Sequence, residues 1–339
     1  MRPFMKSAGR WLPGAVVSLL LIGGILYFVD LSRVAAAMRA ADYRLLGVSL
    51  MLSFGWLFVR AVVWRTLLRD RPTYRDTMLA LSEGYVLNNF LPFRLGELGR
   101  AFMLSRRSEM TFSEILPTIV IERAMDLFFT AVIFLGSLPF VVGIGATGQV
   151  AVFVGAAIVV GVIALYGLAR NQKGAMDLFH RLSVRWPTLQ KRGGGLLESF
   201  LAGLGVLTNG WLFARFLIWM SLNWALAAVN YFVMMRAYFP QTQFVWGMFG
   251  LGAAAFGGAV PSLPGAVGTF EGALGGALTL LTGDQSTALA VALTARVFNY
   301  VTSIVLGGYA LSREGDTISG MYRELMSLRS RSESDDPAL

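Results

Sequence analysis

The stretch LFFTAVIFLGSLPFVVGIGATGQVAVFVGAAIVVGVIALYGLA, residues 127–169, runs for 43 residues without one charged side chain. A single bilayer crossing needs roughly 20 apolar residues, and Pro139, Gly143, Gly145 and Gly148 lie near the middle of the stretch as a turn. Two membrane spans are expected here, and with them the fold class: an all-α, polytopic membrane helical bundle. The composition agrees. Of 339 residues, 55% are hydrophobic and 14% charged, where a soluble domain carries about a quarter charged.

Apolar segments continue outward in both directions, from residue 12 to residue 311, and leave a polar tail over 312–339. No separate catalytic domain fits outside the membrane. Cysteine is absent and the one histidine, His180, falls in a basic loop, so cysteine- or histidine-ligated metal and triad chemistry are excluded and neither a metal nor a cofactor is expected. The formal charge of +9 is scattered over span ends and short loops. That distribution fits orientation and contact with anionic lipid, and no nucleic-acid partner is expected.

Arg2, Lys6 and Arg10 precede an apolar stretch from Trp11 to Val29, read as a retained first span in preference to a signal peptide. A second span covers about Leu45 to Leu68 and ends in Arg65, Arg69, Arg71 and Arg75. The excess of positive charge places that end in the cytoplasm, together with the N-terminus. Further spans are expected at about 115–139, 149–168, 211–235, 244–260 and 288–311, with a short apolar piece at 196–209, and basic residues in the tail suggest a cytoplasmic C-terminus. Two segments break their own apolar runs with proline and glycine. These are Tyr85 to Arg100, interrupted at Pro92 and Gly96, and Val260 to Leu281, interrupted at Pro264, Gly265 and Gly268. As re-entrant helices they give six crossings, and as crossing ones eight.

Leu91-Pro92 is followed after three residues by Gly96, and Leu263-Pro264 after three residues by Gly268, with Glu97 and Glu271 close behind. The two breaks lie 172 positions apart. Paired breaks at matching positions of two halves are a pointer to an inverted repeat with a site at the repeat interface. The candidate half-repeats are about 45–168 and 211–311.

Ionisable residues within apolar sequence are costly unless paired or facing water. Arg94, Glu97 and Arg100 recur every third position, a basic, acidic, basic row in which a lipid phosphate sits between two guanidinium groups or, equally, a salt-bridge network fixes the segment. Glu122, Arg123 and Asp126 form a second cluster amid apolar neighbours. Its carboxylates invite proton sharing, and with it coupling to a proton gradient, or lock helices as ion pairs. Glu271 and Arg296 either pair across the bundle or, through Arg296 joining Arg94 or Arg100, enclose an anion. Arg60 and Arg215 lie within or near spans, where either could snorkel to an interface. Asn88, Asn89, Asn223, Asn230 and Asn299 offer hydrogen bonds to a polar cavity or to neighbouring helices.

At these residues the chain resembles the flippase-like membrane domain family of lysylphosphatidylglycerol synthases. The resemblance rests on Asn88 and Asn89 through Pro92, Arg94, Gly96, Glu97 and Arg100, on Glu122-Arg123 with Asp126, on Pro264-Gly265-Ala266-Val267-Gly268 with Glu271, and on Arg296. It covers about residues 12 to 311, and the chain departs from the usual pattern at Phe93 and Ala266, where relatives often have glycine. The resemblance implies lipid handling without lipid synthesis: translocation between leaflets of a membrane lipid with a phosphate head group, and a lipid-synthesising enzyme as partner. Two readings compete with a flippase. One is a membrane glycosyltransferase with Glu97 or Asp126 as general base, and the other is an accessory protein of envelope assembly.

Overall fold

The computed structural model describes residues 18–24, 27, 29–91, 95–142, 170–183, 209–260 and 262–314, with positions 156, 160–161, 167 and 201. Within them every regular element is helical. After a helical stretch at 18–24 come α1 (Leu31–Ala40), α2 (Tyr43–Leu67), α3 (Tyr74–Phe90), α4 (Leu95–Arg107), α5 (Phe112–Val142), α6 (Gln172–Ser183), α7 (Gly210–Arg236), α8 (Phe244–Ala259), a single 3-10 turn (Pro264–Ala266), α9 (Thr269–Thr282) and α10 (Gln285–Glu314). Pro92, Phe93 and Arg94, much of the first span expected from Trp11 to Val29, most of the span expected at 149–168, most of 196–209 and the tail from 315 onward lie outside the described residues.

Among the described residues four helices, Tyr43–Leu67, Phe112–Val141, Gly210–Arg236 and Gln285–Arg313, are long and apolar enough to cross a membrane. Burial runs opposite to that of a soluble protein. Arg60, Glu83, Arg100 and Glu122 are at most 2% exposed, whereas Ile218 is 62% and Leu127 54% exposed. Apolar side chains facing outward and charges facing inward are the arrangement hydrocarbon solvent demands.

Local chemistry sets the helix ends. Asp42 caps α2 by accepting from the Arg44 and Leu45 amides, and Asn209 caps α7 on the Trp211 and Leu212 amides. Helix α2 stops where Arg69 and Asp70 take left-handed backbone angles, and α9 stops at Gly283 in the same region. Helices α2 and α7 run antiparallel. Ser49 donates to Asn230 at 2.6 Å near one end, while Asn223 donates to the Trp56 carbonyl at 3.0 Å further along. Asp70 pairs with Arg215, and the Asp42 amide donates to the Ala237 carbonyl at 2.9 Å, so each helix begins where the other finishes.

Between these long helices lie two antiparallel pairs of shorter ones, α3 with α4 and α8 with α9. Asn88 meets Glu97 near the connection of the first pair, and Glu83 meets Arg107 far from it. Helix α8 is built of small residues because three neighbours press on it: Gly247 lies against the Phe232 backbone, Gly252 against Phe134, and Gly257 against the Thr269 carbonyl. Without a hydrophobic drive between helices in lipid, close backbone approach of this kind supplies the packing energy. The break after α8 leaves backbone groups that a helix would have paired. Ser18 accepts from the Leu263 amide at 3.0 Å, Glu271 accepts from the Gly268 amide at 2.8 Å, and Arg296 donates to the carbonyls of Gly265 and Ala266. Gly265, Ala266 and Gly268 all have positive φ. Gly96, expected as a backbone break, instead lies inside the first turn of α4 as a crossing point. A side chain there would collide with the Gly84 carbonyl and Asn88 of α3.

Candidate functional site

The first pair of short helices brings the charged residues of α4 onto those of α2 and α5. Arg60 contacts Glu122 at 2.5 Å and grips Asp126 with both terminal nitrogens, at 2.8 and 2.5 Å. Glu122 meets Arg100 at 3.2 Å, Arg100 meets Glu97 at 2.7 Å, Glu97 meets Arg123 at 2.9 Å, and Arg123 returns to Asp126 at 3.1 Å. These contacts close a ring of three guanidinium and three carboxylate groups in which signs alternate. Burying one unpaired charge would be prohibitive; alternation gives each charge two partners of opposite sign. The Arg100 guanidinium also stands 4.6 Å from the Trp64 ring centre, replacing lost hydration on its face.

One side of the ring opens into a cavity of about 540 Å³. Arg60, Glu97, Arg123 and Asp126 line it, but Arg100 and Glu122 do not. The remaining wall is mostly apolar and aromatic, with Trp56, Trp224, Leu251, Phe270 and Phe298, and includes a few neutral polar groups. Such a space, charged on one wall and apolar elsewhere, accommodates an amphiphile's polar end. Among the described residues no group of three or more His, Cys, Asp or Glu is arranged to hold a metal ion.

The model of the family described as "Lysylphosphatidylglycerol synthase TM region" matches residues 12–307. The chain belongs to this family. The match is to the flippase-like, non-catalytic membrane module, in keeping with a transporter rather than an enzyme. A curated relative, "UPF0104 membrane protein" of Methanothermobacter thermautotrophicus, is 23% identical over 315 residues, covering 86% of this chain and 90% of its own length. No solved structure matches. Membership agrees with the bundle described above: a multi-pass membrane protein in keeping with a bacterial or archaeal membrane.

In this member of the Lysylphosphatidylglycerol synthase TM region family the two sequence clusters, Glu97 with Arg100 and Glu122 with Arg123 and Asp126, merge into one site. Arg100 is spent on two carboxylates and an indole, so its side chain is turned away from the cavity, and Arg123 takes the cavity-facing place. Glu122 and Asp126 are bridged by Arg60, the helix-locking alternative for that pair. Glu271 pairs with Arg296 at 2.6 Å, and Arg296 lies 4.6 Å from the Phe270 ring centre; neither lines the cavity, although Phe270 does. Asn88 reaches Glu97 at 3.4 Å and Asn89 donates to Ser303 at 2.6 Å.

Two features were not anticipated. Arg60 does not snorkel to an interface; it is 1% exposed and central to the ring. Its position, 17 residues into a 25-residue helix, was the signal, because an arginine that deep in a span needs buried carboxylates. Arg215, at the start of α7, pairs with Asp70 at the helix end. The second feature is the Glu83 and Arg107 pair, at 2.6 and 2.8 Å, which ties α3 to α4 away from the ring.

Proposed function

We propose that the protein carries a phosphate-bearing lipid between leaflets, with the head group in the cavity beside Arg123 and Arg60 and the acyl chains left in the bilayer. The carrying observation is that cavity: about 540 Å³ inside an apolar bundle, with charges converging on one wall. Leu127, a lining residue that is 54% exposed, supports a lateral way in for the chains.

An inverted repeat underlies this reading. Helices α2, α3, α4 and α5, of 25, 17, 13 and 31 residues, correspond to α7, α8, α9 and α10, of 27, 16, 14 and 30. The pairings exchange in step, with α3 on α10 as α8 is on α5. The contact of Arg60 with Asn223 has its mate in that of Ser53 with Asn230. Both short pairs are then re-entrant from opposite sides, since 17 residues of helix reach only ~25 Å. The basic cluster at Arg65 to Arg75 supports a cytoplasmic α2 end and, with six crossings, cytoplasmic termini.

The test uses vesicles containing purified protein and a fluorescent phosphatidylglycerol, with bleaching of the outer leaflet as readout. Wild type should accelerate exchange over protein-free vesicles. The variant Arg123→Gln with Asp126→Asn, which keeps the ring neutral, should lower the rate at least tenfold while thermal unfolding shows a folded protein. Folded wild type that moves no phosphate lipid faster than empty vesicles would sink the proposal.

A further inference from the structure

The cavity wall along α7 and α10 carries neutral polar groups whose side chains have no hydrogen-bond partner among the described residues. The Trp224 side chain is nine-tenths buried, lines the cavity, and its indole nitrogen has no acceptor among the described residues. The Tyr231 hydroxyl and the Asn299 amide also line the cavity, with no side-chain hydrogen bond among the described residues. An unpaired indole N–H inside a membrane protein is a free-energy cost that a ligand oxygen would remove. Asn230, on the same wall, is already held by Ser49 and Ser53.

The repeat makes the difference between the walls systematic. On α5 the order is Arg123, Asp126, Thr130, and 173 positions later on α10 it is Arg296, Asn299, Ser303. Asp126 is thus replaced by Asn299, a side chain of the same shape with no charge. Likewise Arg60 on α2 has Asn230 as its counterpart on α7. One wall is ionic and the other offers amide, phenol and indole groups, with Phe270 and Phe298 as flat apolar surfaces beside them. Neutral donors at this density match hydroxyl oxygens, and aromatic faces match the C–H faces of a polyol.

We infer that the α7 and α10 wall is a second subsite, which takes the uncharged, hydroxyl-rich part of the head group while the ring wall takes its phosphate. This rests on the cavity being the head-group site and adds a substrate class to it: lipids whose phosphate carries a polyol.

Short-chain phosphatidylinositol, phosphatidylglycerol and phosphatidic acid, titrated into the detergent-solubilised full chain, separate the two ideas. A single neutral hydrogen bond changes affinity by about two- to tenfold, so phosphatidylinositol should bind wild type about tenfold more tightly than phosphatidic acid, with phosphatidylglycerol between. In Asn299→Leu with Tyr231→Phe the ratio of phosphatidylinositol to phosphatidic acid affinity should fall towards one, with folding checked by thermal unfolding. The charge-neutral ring variant, Arg123→Gln with Asp126→Asn, should weaken all three lipids and preserve the ratio. Equal binding of the three lipids by wild type, or an unchanged ratio in the α7 and α10 variant, overturns the polyol subsite and leaves the phosphate reading standing. Absence of saturable binding of all three by folded wild type overturns both.

Discussion

Arg60→Met should destabilise the protein by about 3–5 kcal/mol, the cost of leaving buried carboxylates without their counter-ion. Arg60 is the only member of the ring supplied by α2, and it contacts Glu122 and Asp126 together. Methionine keeps an unbranched apolar stem and removes the charged guanidinium, so the main loss is electrostatic. The sign of the explanation is checked by a second change. Adding Glu122→Gln to Arg60→Met removes the surplus negative charge and should recover part of the lost stability, although it deletes another ring member. Thermal unfolding of the purified variants decides the matter. If the double variant is as unstable as the sum of its single changes, the ring is not electrostatically coupled and the separate contacts act independently.

Gly96→Ala should be nearly as damaging, by about 3 kcal/mol, through the opposite mechanism of overpacking. The added methyl would meet two backbone atoms, the Gly84 carbonyl oxygen and the Asn88 amide nitrogen, along with the Asn88 side-chain oxygen. Backbone cannot rotate aside as a side chain can, so α3 and α4 must separate. The control is Gly276→Ala on α9, where nothing lies within 4 Å; it should leave the unfolding temperature essentially unaltered, since a mid-helix alanine is slightly favoured over glycine. Equal unfolding temperatures for the two variants would mean that α3 and α4 do not cross at this glycine.

The membrane fold was legible because hydrophobic segment length is a one-dimensional property: 43 uncharged residues need no neighbour to be interpreted. The charged residues of the site were legible for the same reason, as exceptions within apolar sequence. What each one does was less so. Arg94, Glu97 and Arg100 share a helical face by spacing, yet which of the guanidinium groups faces the cavity depends on where α2 and α5 stand, and no local spacing carries that. Arg60 escapes assignment to the site because snorkelling is judged from distance to a span end, whereas its real partners lie 62 and 66 positions along the chain. Gly96 shows another limit. The motif Leu-Pro followed by glycine fits a left-handed turn in the second half, at Gly268, but a helix crossing in the first. A glycine is needed in both, and the letters alone do not say whether the missing side chain spares a torsion angle or a neighbour. The match of Arg123, Asp126 and Thr130 with Arg296, Asn299 and Ser303 was present in the sequence throughout. It takes on meaning under the proposed inverted repeat, in which α5 and α10 are counterparts.

Because the ring holds as many positive as negative groups, it is electrically silent. A single elementary charge displaced through the full membrane potential exchanges about 2.3 kcal/mol of work per 100 mV, but a closed set whose formal charges cancel exchanges almost none, however far it tilts or shifts as a unit. The ring itself then adds almost nothing to any dependence of turnover on voltage. Exchange rates measured in vesicles with an imposed potassium diffusion potential would therefore report the charge of the head group as it travels and of any protein group outside the ring, with the ring contributing a flat baseline.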